Sequence, residues 1–472
     1  MEGKVLIANR GEIAIRIMNA CKKLGLDYVN VYTPEDRNSL HVRLSQSDNP
    51  VENKAWRISN YRDPNDILAV ADYTNCTAIH PGYGFFAEDY RFARRVQTRD
   101  RSLIFIGPSW EVIKVLGSKI NTKSIANSLK IPTIPGSEQP IYNEIEAEDL
   151  AEELFFIQQE KGIRKPSILV KASAGGGGLG IEDVTHIDQF RPVYRRIQNY
   201  AKRQFGDEGV LIEQCVNDYN HLEVQLVCSR HREIVHFGTR NCTIQSLGRQ
   251  KRIEVSPGFD LENPSQYQFD PRRVLEEIVD YSLKLAAHVK YDNVGTWEWI
   301  VTREGHPYLL EVNTRIQVEN DVSAKASRIR GQQSPPNLIE EQIRLALGDR
   351  LGYRQKDVSF SGVSIEFRIV AEDTKRGFTP SSGTIDRFEM PSFPWLTVYS
   401  HVPNDSYIIP SEYDPNLALA LVWGENLNEA KERGLQFLSE AHIEGQNSRG
   451  EPIVTNFNYL KENLDKLLLF GD

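Results

Sequence analysis

The run LLEVNTRIQVEN, residues 309–320, is the most informative stretch of this chain. Every second position of its central part is polar or charged: Glu311, Asn313, Arg315, Gln317 and Glu319. Alternate side chains of an extended strand point to opposite faces, so we expect these groups to share one face. Carboxylate and amide oxygens suit a divalent metal ion such as magnesium, and an arginine fork suits a planar oxyanion. An amphipathic edge strand with a solvated charged face would show the same alternation, so the rest of the chain has to decide.

Size and charge exclude several classes of protein. A chain of 472 residues allows roughly three domains of about 150 residues each. The net charge of −9 argues against a nucleic-acid partner. No stretch approaches the roughly 18 apolar residues of a membrane span, and the first residues carry too much charge for a secretory signal. We therefore expect no nucleic-acid or membrane partner.

The chain has five cysteines, none of them in a CxxC pair or a dense Cys/His cluster. Structural zinc and a disulfide framework are therefore not expected, and each cysteine is most simply a small buried apolar residue. A reducing compartment suits this composition, which predicts a cytoplasmic protein.

The first hundred residues alternate short apolar strands with helices. KVLIA is followed by the turn NRG and the helix EIAIRIMNACKKLG, and the runs AIHPGYGF and LIFIGP repeat the strand-then-turn pattern. This order predicts a parallel sheet with crossover helices. Ligands of such sheets bind outside the carboxyl ends of the strands, where Gly11 and the HPGYGF turn at 80–85 fall.

The rest of the chain divides into three predicted parts. Helices are expected from about Trp110 to Leu129, and the Pro/Gly-rich run 131–140 predicts a hinge. The segment 140–215 reads as a compact unit with two strands, two helices and a glycine loop. Beyond His221 we predict helices at about 271–290 and 336–348, a surface loop at 326–337, and strands in these runs: LEVQLVC, EIVHFG, TWEWIV, PYLLEVN, VSIEFRIV and LTVYSHV.

The glycine loop ASAGGGGLG, residues 172–180, follows an apolar strand that ends near Lys171. Gly175, Gly176, Gly177 and Gly178 leave their backbone N–H groups open to a phosphate. The loop matches neither a P-loop nor GxGxxG, and a flexible linker is the alternative interpretation. Lys171 and Lys119 could each add a point charge for a phosphate.

Taken together, these runs resemble biotin carboxylase, a member of the ATP-grasp superfamily. The resemblance extends from residue 4 to about residue 384 and continues more loosely to residue 426. HPGYGF and NTRIQVE are far more specific than the glycine loop. The runs that carry the resemblance are VLIANRGEIAIRI, HPGYGFFAED, IFIGPS, GSK, KASAGGGGLGI, HLEVQ, RNCTIQ, RQK, TWEW, EVNTRIQVEN and FRIVAED.

The resemblance implies a mixed α/β and α+β fold with ATP-grasp architecture. Its parts would be an N-terminal Rossmann-like domain at 1–110, a helical linker at 111–139, a small glycine-loop lid at 140–215, and a C-terminal part at 216–472. That last part would join the antiparallel ATP-grasp core to the biotin carboxylase C-terminal domain.

The implied activity is that of an ATP-dependent ligase that forms a C–N bond. ATP, with Mg²⁺ or Mn²⁺, would phosphorylate bicarbonate to carboxyphosphate, which supplies carbon dioxide to N1 of biotin. Phosphoryl transfer depends mainly on positioning and charge neutralisation, which fits the residue types found here.

The resemblance also implies a role for each candidate residue. ATP would be bound by Lys119, Lys171, Gly175, Gly176, Gly177, Gly178, Glu213, His221 and Gln245. Glu298, Glu311 and Asn313 would hold the metal ions. Bicarbonate and biotin would contact Lys251, Arg315, Gln317, the backbone of Val318, Arg368 and Tyr83. The catalytic residues would be Glu319, Arg315, Lys251 and Arg368.

Glu319 would be the general base in this scheme. Glu319 shares the predicted strand face with Arg315; residues two apart in a strand lie about 7 Å apart, and one bicarbonate ion could roughly fill such a gap. Judged without the family, Lys251 could equally be a solvated lysine and Arg368 part of a surface salt bridge.

Several positions depart from the family pattern. The glycine loop continues with Leu179 where arginine is usual, and Asn320 replaces the usual histidine. QSLGRQK at 245–251 is one residue longer than usual, with Arg249 as a possible substitute for a lost nucleotide contact. The segment 327–336 is lengthened, and YDPNLALAL lacks the usual lysine. Because the inner acidic and cationic set is intact, we expect an active enzyme.

Met1, Met18 and Met390 are the methionines, and none precedes a lysine, whereas biotin is carried on a lysine flanked by methionine. We therefore expect the biotin carboxyl carrier protein and the carboxyltransferase subunit to be separate polypeptides, and the resemblance implies a homodimer. The complex would be an acyl-CoA (acetyl- or propionyl-CoA) or 2-oxo-acid carboxylase. The alternatives are an ATP-grasp ligase for another substrate and a non-catalytic nucleotide-binding regulatory subunit.

Overall fold

The structure is a computed structural model that describes residues 3–48, 53–99, 103–160, 162–163, 165–173 and 180–470. The predicted phosphate glycines 175–178 lie outside the described residues. Within the described ranges, no helix combines the length and the apolar character needed to cross a membrane.

The N-terminal part is a five-stranded parallel sheet with strand order β3-β2-β1-β4-β5. This confirms the predicted Rossmann-like sheet. Gly11 begins the first helix with φ +69°, a left-handed conformation that favours glycine. The elements are β1 Lys4–Ile7, α1 Gly11–Lys23, β2 Asp27–Tyr32, α2 Leu40–Asp48, β3 Ala55–Arg57, α3 Pro64–Tyr73, β4 Ala78–His80, α4 Tyr90–Gln97 and β5 Ile104–Phe105.

Two linker helices, α5 Trp110–Leu116 and α6 Lys119–Ser128, lead into the predicted lid. The lid is an antiparallel sheet of order β7-β6-β8 with two helices. Its strand β7 was not predicted, because only its last residue is buried and it lacks an apolar alternation. The elements are α7 Glu144–Glu160, β6 Ile168–Ala172, β7 Ile181–Val184, α8 Phe190–Phe205 and β8 Val210–Gln214.

The centre of the molecule is an eight-stranded antiparallel sheet of order β13-β12-β9-β10-β11-β16-β22-β20. All six strands predicted beyond His221 are present in it. The strands of this sheet are β9 Tyr219–Cys228, β10 Ile234–Gln245, β11 Lys251–Ser256, β12 Asn293–Thr302, β13 Pro307–Asn313, β16 Val363–Val370, β20 Leu396–Ser400 and β22 Asn416–Gly424. The strands outside it are β14 Ser327–Ile329, β15 Val358–Phe360, β17 Glu372–Asp373, β18 Thr379–Pro380, β19 Thr384–Glu389, β21 Tyr407–Ile408 and β23 His442–Gln446. The helices of this part are α9 Pro271–His288, α10 Asn320–Lys325, α11 Leu338–Ala346, α12 Leu427–Glu440 and α13 Phe457–Glu462.

The predicted extended run 311–319 is wrong in its second half. β13 ends at Asn313, and the chain then turns until α10 begins at Asn320. Backbone and side-chain hydrogen bonds hold this turn: Glu88 accepts from the Thr314 N–H at 3.1 Å, and Asn320 Nδ2 donates to Gln317 O at 2.8 Å. The strand alternation therefore places Glu311 and Asn313, while a turn places Gln317 and Glu319.

The loop predicted at 326–337 is also only partly correct. Residues 327–329 form β14, which pairs with β15, and Ser327 and Ile329 are buried. Residues 331–335 are exposed, as expected for a loop.

β16 separates the apolar core from the polar side of the sheet. Ile365, Phe367 and Ile369 pack in one hydrophobic cluster with residues of α12, including Phe437. Because neighbouring side chains of a strand point to opposite faces, Glu366 and Arg368 face the other side, where α10 lies. The apolar half of this alternation thus anchors the strand that carries Arg368.

Candidate active site

Register across four strands brings acidic and basic residues onto one face of the large sheet. Glu223 on β9 lies opposite Arg240 on β10 and opposite Glu298 on β12. Glu298 in turn lies opposite Glu311 on β13. Directly opposite residues of antiparallel strands share a face with their Cβ atoms about 5 Å apart. The pairing pattern alone therefore gathers these charges.

Lys251 lies at the centre of the cluster. Its Nζ contacts Glu223 and lies 2.6 Å from Glu319 Oε1 and 3.2 Å from Glu298 Oε1. Burial favours the neutral amine, but the three carboxylates outweigh it and raise the pKa of Lys251 well above its ordinary value. The alternative of a solvated lysine is wrong.

Arg368 reaches the same place from β16. It donates to Glu254 Oε1 at 2.7 Å and to Glu319 Oε2 at 3.0 Å. Burial raises the pKa of the Glu319 carboxyl, but Lys251 and Arg368 overcome it and lower that pKa well below its ordinary value. Glu319 is therefore a carboxylate between two cations, and Arg368 is not part of a surface salt bridge.

The predicted metal residues Glu298 and Asn313 are in contact, and Gln317 joins them. Glu298 Oε1 accepts from Asn313 Nδ2 at 2.7 Å and from Gln317 Nε2 at 2.9 Å. Glu311 forms an ion pair with Lys119 at 2.9 Å. Glu298, Asn313 and Glu311 supply the hard oxygen ligands that Mg²⁺ prefers, so the donor set fits a magnesium site.

His221, predicted near the nucleotide, lies against the acidic cluster. Its Nε2 is 3.0 Å from Glu298 Oε2, and its Nδ1 is 3.1 Å from Gln245 Nε2. The ligand atoms of His221, Glu223 and Glu298 all lie within 4.8 Å of one another. His221 and Gln245 therefore meet, as neighbours of the predicted metal residues.

The predicted phosphate lysine Lys171 contacts Glu213, and Lys123 Nζ lies 3.7 Å from the other oxygen of that carboxylate. Burial raises the pKa of Glu213, but Lys171 and Lys123 lower it below its ordinary value. Lys171 and Glu213 thus form one pair on neighbouring strands of the lid sheet.

Arg315 is oriented by two side chains. Its Nε donates to Glu88 Oε2 at 2.8 Å, and its Nη2 donates to Asn313 Oδ1 at 2.9 Å. Glu88 belongs to the N-terminal part, so the fixed guanidinium links that part to the metal residues. The backbone oxygen of Val318 lies 3.5 Å from Arg16 Nη1, a second link between the same two parts.

Tyr83, predicted at the biotin pocket, is tied to the same region. Its hydroxyl donates to Glu12, whose other oxygen lies 3.6 Å from Arg16. The backbone oxygen of Tyr83 accepts from Asn9 Nδ2 at 2.8 Å, which fixes the HPGYGF turn. Arg368 is close enough to affect the pKa of Tyr83, which burial raises well above its ordinary value.

Glu223, Arg240 and Glu88 are among the residues of the site that were not predicted. Arg240 is fully buried and donates to Glu223 Oε2 at 2.8 Å and to Gln317 Oε1 at 2.8 Å. The run HLEVQ could have indicated Glu223 as a site residue, because His221, Glu223 and Gln225 alternate with apolar residues in a buried strand. Glu88 carried no comparable signal, since its contact joins two distant parts of the chain.

The lengthened run 245–251 forms a tight turn at the edge of the site. Ser246 O accepts from the Arg249 N–H at 2.9 Å, and Arg249 is exposed with φ +59°. Arg252, directly after this run, donates to both oxygens of Glu372 at 2.7 and 2.6 Å.

Known family models and proteins match almost the whole chain. The family model "Biotin carboxylase, N-terminal domain" matches residues 1–113, "Carbamoyl-phosphate synthase L chain, ATP binding domain" matches 118–354, and "Biotin carboxylase C-terminal domain" matches 366–466.

Among curated relatives, the biotin carboxylase of Nostoc sp. is 36% identical over 94% of this chain and 92% of its own length. The 2-oxoglutarate carboxylase small subunit of Hydrogenobacter thermophilus is 34% identical over 94% and 87%.

Solved structures are similar as well. The biotin carboxylase domain dimer of the Hydrogenobacter thermophilus 2-oxoglutarate carboxylase, in complex with MgADP, ADP and bicarbonate, has 34% identity and a TM-score of 0.82, covering 98% of this chain and 94% of that one. A biotin carboxylase complex from Campylobacter jejuni has 30% identity and a TM-score of 0.83, covering 98% and 95%.

Proposed function

The chain belongs to the biotin carboxylase family, and from this premise we propose how its own residues carry out the reaction. The protein is an ATP-dependent ligase of the ATP-grasp type that carboxylates biotin with bicarbonate. ATP, Mg²⁺ and bicarbonate are its cofactor and substrates. The residue roles below are our proposal.

The observation that supports these roles best is the position of Lys251. It contacts the proposed base Glu319 and the proposed metal ligand Glu298 at the same time. A cation between a base and a metal ligand marks the point where a small anion can meet both. We propose that bicarbonate binds at this point, held by Lys251, Arg315, Gln317 and the backbone of Val318.

Bicarbonate has to separate existing ion pairs in order to bind there. Lys251 Nζ lies only 2.6 Å from Glu319 Oε1, which leaves no room for an ion between them. We propose that the incoming anion takes over part of the contacts that Lys251 and Arg368 now make with Glu319. Losing these contacts raises the proton affinity of Glu319, so the base becomes stronger when the substrate is in place.

In the proposed reaction, Glu319 accepts the proton of bicarbonate, and a bicarbonate oxygen attacks the γ-phosphorus of ATP. ADP leaves and carboxyphosphate forms. Carboxyphosphate then breaks down to carbon dioxide and phosphate, and N1 of biotin attacks the carbon dioxide while its proton passes to the released phosphate. Arg368 stabilises the negative charge on carboxyphosphate and on the biotin oxygen, and Tyr83 borders the biotin pocket.

Glu298, Glu311 and Asn313 would hold Mg²⁺, whose chemical role is to neutralise charge on the transferring phosphate. Lys119, Lys171 and the glycines 175–178 would bind the ATP phosphates. Glu213, His221 and Gln245 would line the rest of the nucleotide site, although His221 also borders Glu298.

Biotin carboxylases act together with a biotin carrier and a carboxyltransferase. We propose that these are separate polypeptides here, that the chain forms a homodimer, and that it works in the cytoplasm. The dimeric biotin carboxylase domain of the 2-oxoglutarate carboxylase supports the oligomeric state. We further propose the domain limits 1–110, 111–139, 140–215 and 216–472, and an acyl-CoA or a 2-oxo acid as the final acceptor.

Measurement of ADP release with and without bicarbonate and free biotin tests the proposed roles. We expect release that requires bicarbonate and rises with biotin. Glu319→Gln should lower this biotin-stimulated rate by about 10²–10⁴-fold, the usual contribution of general base catalysis, while ATP still binds. The exposed Glu440→Gln variant is the control. An unchanged rate in Glu319→Gln would show that another group is the base.

A further inference from the structure

Two glutamates face each other behind Arg368, and their charges are not balanced. Glu254 on β11 lies directly opposite Glu366 on β16. Both side chains are fully buried. Opposite residues of an antiparallel pair have Cβ atoms about 5 Å apart, so two carboxylates here would be in close contact within the protein interior.

Hydrogen bonding distinguishes the two residues. Glu254 Oε1 accepts from Arg368 at 2.7 Å, whereas Glu254 Oε2 has no partner among the described residues. Neither oxygen of Glu366 has a hydrogen-bond partner in the described part of the chain. A buried carboxylate without any donor is costly, because burial removes water and nothing replaces it.

Within the described ranges, the remaining neighbours of Glu366 do not supply a balancing cation. The residue opposite it on β22 is the apolar Leu421, and Leu419 lies opposite Arg368. Arg368 is shared between Glu254 and Glu319. The charged groups that act on Glu366 are Glu254 on β11, Arg368 on β16, Glu319 before α10 and Arg16 on α1. Arg16 is itself engaged by Asp321 at 3.2 Å and by Glu12.

We propose that Glu366 is a positioning residue that is held as a neutral carboxylic acid, donating its proton to Oε2 of Glu254. This hydrogen bond would satisfy the free oxygen of Glu254 and one oxygen of Glu366 with a single proton. Glu254 is then fixed as the ionised member of the pair, and it orients Arg368 from the side opposite to the substrates. The effect of Glu366 on catalysis therefore passes through Glu254 and Arg368, and this part of the proposal rests on the role of Arg368 proposed above.

The electrostatics of the pair agree with this arrangement. Burial, reinforced by the charge of Glu254, raises the pKa of Glu366 well above its ordinary value. Burial also raises the pKa of Glu254 to about 7, against the opposing effect of Arg368. Two groups this close titrate as a pair, and the contact with Arg368 assigns the negative charge to Glu254.

Neutrality at position 366 matters because the substrates are anions. Bicarbonate and carboxyphosphate have to bind beside Arg368 and Lys251. Ionisation of Glu366 would add a negative charge to the strand that carries Arg368 and weaken the attraction for both. We therefore expect the KM for bicarbonate to rise at alkaline pH as the pair loses its shared proton.

Infrared spectroscopy of the full-length protein tests the protonation state without any assay of function. A protonated carboxylic acid has a carbonyl stretch that a carboxylate lacks. The difference spectrum of wild type minus Glu366→Gln at neutral pH should contain this band. A difference spectrum that contains only carboxylate bands would overturn the proposal.

Kinetics test the positioning role. Glutamine keeps the shape of the neutral acid and can still donate to Glu254, so Glu366→Gln should keep kcat and the KM for bicarbonate within about twofold of wild type at neutral pH. At alkaline pH the wild-type KM should rise on the order of tenfold, as expected for one added charge near the substrate site, and the variant should not show this rise.

Glu341→Gln is the matched control, because Glu341 is a buried glutamate on α11 whose pKa is also raised by burial. Its KM for bicarbonate should rise at alkaline pH as that of wild type does. An equal rise of the KM for bicarbonate at alkaline pH in wild type and Glu366→Gln would contradict the proposal. So would a more than tenfold fall in kcat, or rise in this KM, at neutral pH in Glu366→Gln. If neither wild type nor any variant carboxylates biotin, the proposed function is wrong. The infrared band still shows in that case whether Glu366 is protonated.

Discussion

The ammonium group of Lys251 faces three carboxylates, and the other cations of the site do not compensate these three carboxylates equally. Glu223 is held by Arg240 as well as by Lys251, and Glu319 by Arg368 as well as by Lys251. Glu298 has Lys251 at the longer distance of 3.2 Å, together with amide groups and His221. Glu298 is therefore the least compensated carboxylate, which is the property expected of a metal ligand.

Substitution of Lys251 by methionine should destabilise the protein strongly. Methionine fills similar space but leaves Glu223, Glu298 and Glu319 without their common cation. Removing one partner from a buried ion pair typically costs about 3–5 kcal/mol, so the unfolding temperature should fall by several degrees. Differential scanning calorimetry measures this change. Lys466→Met, at an exposed position, is the control, and an equal unfolding temperature in both variants would contradict the central role of Lys251.

Mg²⁺ should partly rescue Lys251→Met. A divalent cation that binds Glu298 replaces some of the lost positive charge, so added Mg²⁺ should raise the unfolding temperature more in this variant than in wild type. The same increase in both proteins would show that the ion binds away from the cluster.

The sequence predicted most of the inner site, and the reason differs from residue to residue. Asn313 and Glu319 were predicted from their residue types and from a family motif, and Glu298 was predicted from a family motif alone. Glu223 and Arg240 were missed because only the register of β9 against β10 and β12 reveals that they meet. Glu88 was missed because it reaches Arg315 across 227 positions of sequence, and no local pattern encodes such a contact.

At the scale of single elements, charged residues inside a strand explain why β11 was not predicted, whereas the apolar strand β22 was missed despite its clear pattern. β11 reads KRIEVS, in which Lys251 and Glu254 lie in the cluster and Arg252 pairs with Glu372. Three charges in six residues hid a strand that is central to the sheet. For the run 311–319 the error was the opposite one, since a strand was predicted where the structure has a turn. The alternation of polar and apolar residues continues past Asn313 and therefore does not reveal this turn.

Arg252 and Glu372 should stabilise the sheet only as a pair. Both side chains are buried, and two hydrogen bonds join them. Arg252→Met should cost about 3–5 kcal/mol, because it leaves Glu372 buried without a cation. The double variant Arg252→Met with Glu372→Met should regain most of this loss. Denaturant unfolding of the two single variants and the double variant gives the interaction energy directly. Additive losses would show that the two residues act independently.

Gly434 on α12 should resist replacement by alanine, although alanine is the better helix former. A Cβ at this position would lie 2.7 Å from Cζ of Phe367, the buried neighbour of Arg368 on β16. Gly→Ala normally gains about 1 kcal/mol in a helix, but overpacking a core costs about 1–3 kcal/mol. We therefore expect Gly434→Ala to lower the unfolding temperature and to reduce kcat.

Ser439→Ala is the matched control on the same helix, at an exposed position. It should leave kcat unchanged and keep or slightly raise the unfolding temperature. A rise in the unfolding temperature with Gly434→Ala would show that Phe367 can move aside without loss.

At the scale of the whole molecule, the N-terminal sheet and the large sheet are joined by buried charges as well as by apolar packing. Arg16 contacts Asp321 and Asn320 at the start of α10 and stacks on Tyr399. Arg10 pairs with Asp36 and lies 4.1 Å from the ring centre of Tyr413. The position of Arg315 and Glu319 relative to the HPGYGF turn therefore depends on the same interface as the stability of the fold.

Two neutral histidines in this interface predict sensitivity to acid. Burial lowers the pKa of His41 to about 4 and that of His401 to about 3, whereas an unfolded histidine has a pKa of about 6.5. The unfolded chain therefore binds more protons below about pH 6.5, so the unfolding free energy is complete above that pH and falls as the pH drops toward the folded values. For His41 the loss approaches about 3 kcal/mol once the pH is below its folded pKa.

Thermal unfolding at a fixed scan rate from pH 8 to pH 5 measures this effect. The wild-type unfolding temperature should fall steadily below about pH 6.5, and His401→Gln should fall less, because glutamine can still bond to Tyr407 but binds no proton. The exposed His442→Gln variant should follow the wild-type curve. Parallel curves for His401→Gln and wild type would show that acid acts elsewhere. A shallower curve for His401→Gln alone would place the acid-sensitive contacts where the N-terminal sheet meets the large sheet, the interface that also positions Arg315 against the HPGYGF turn.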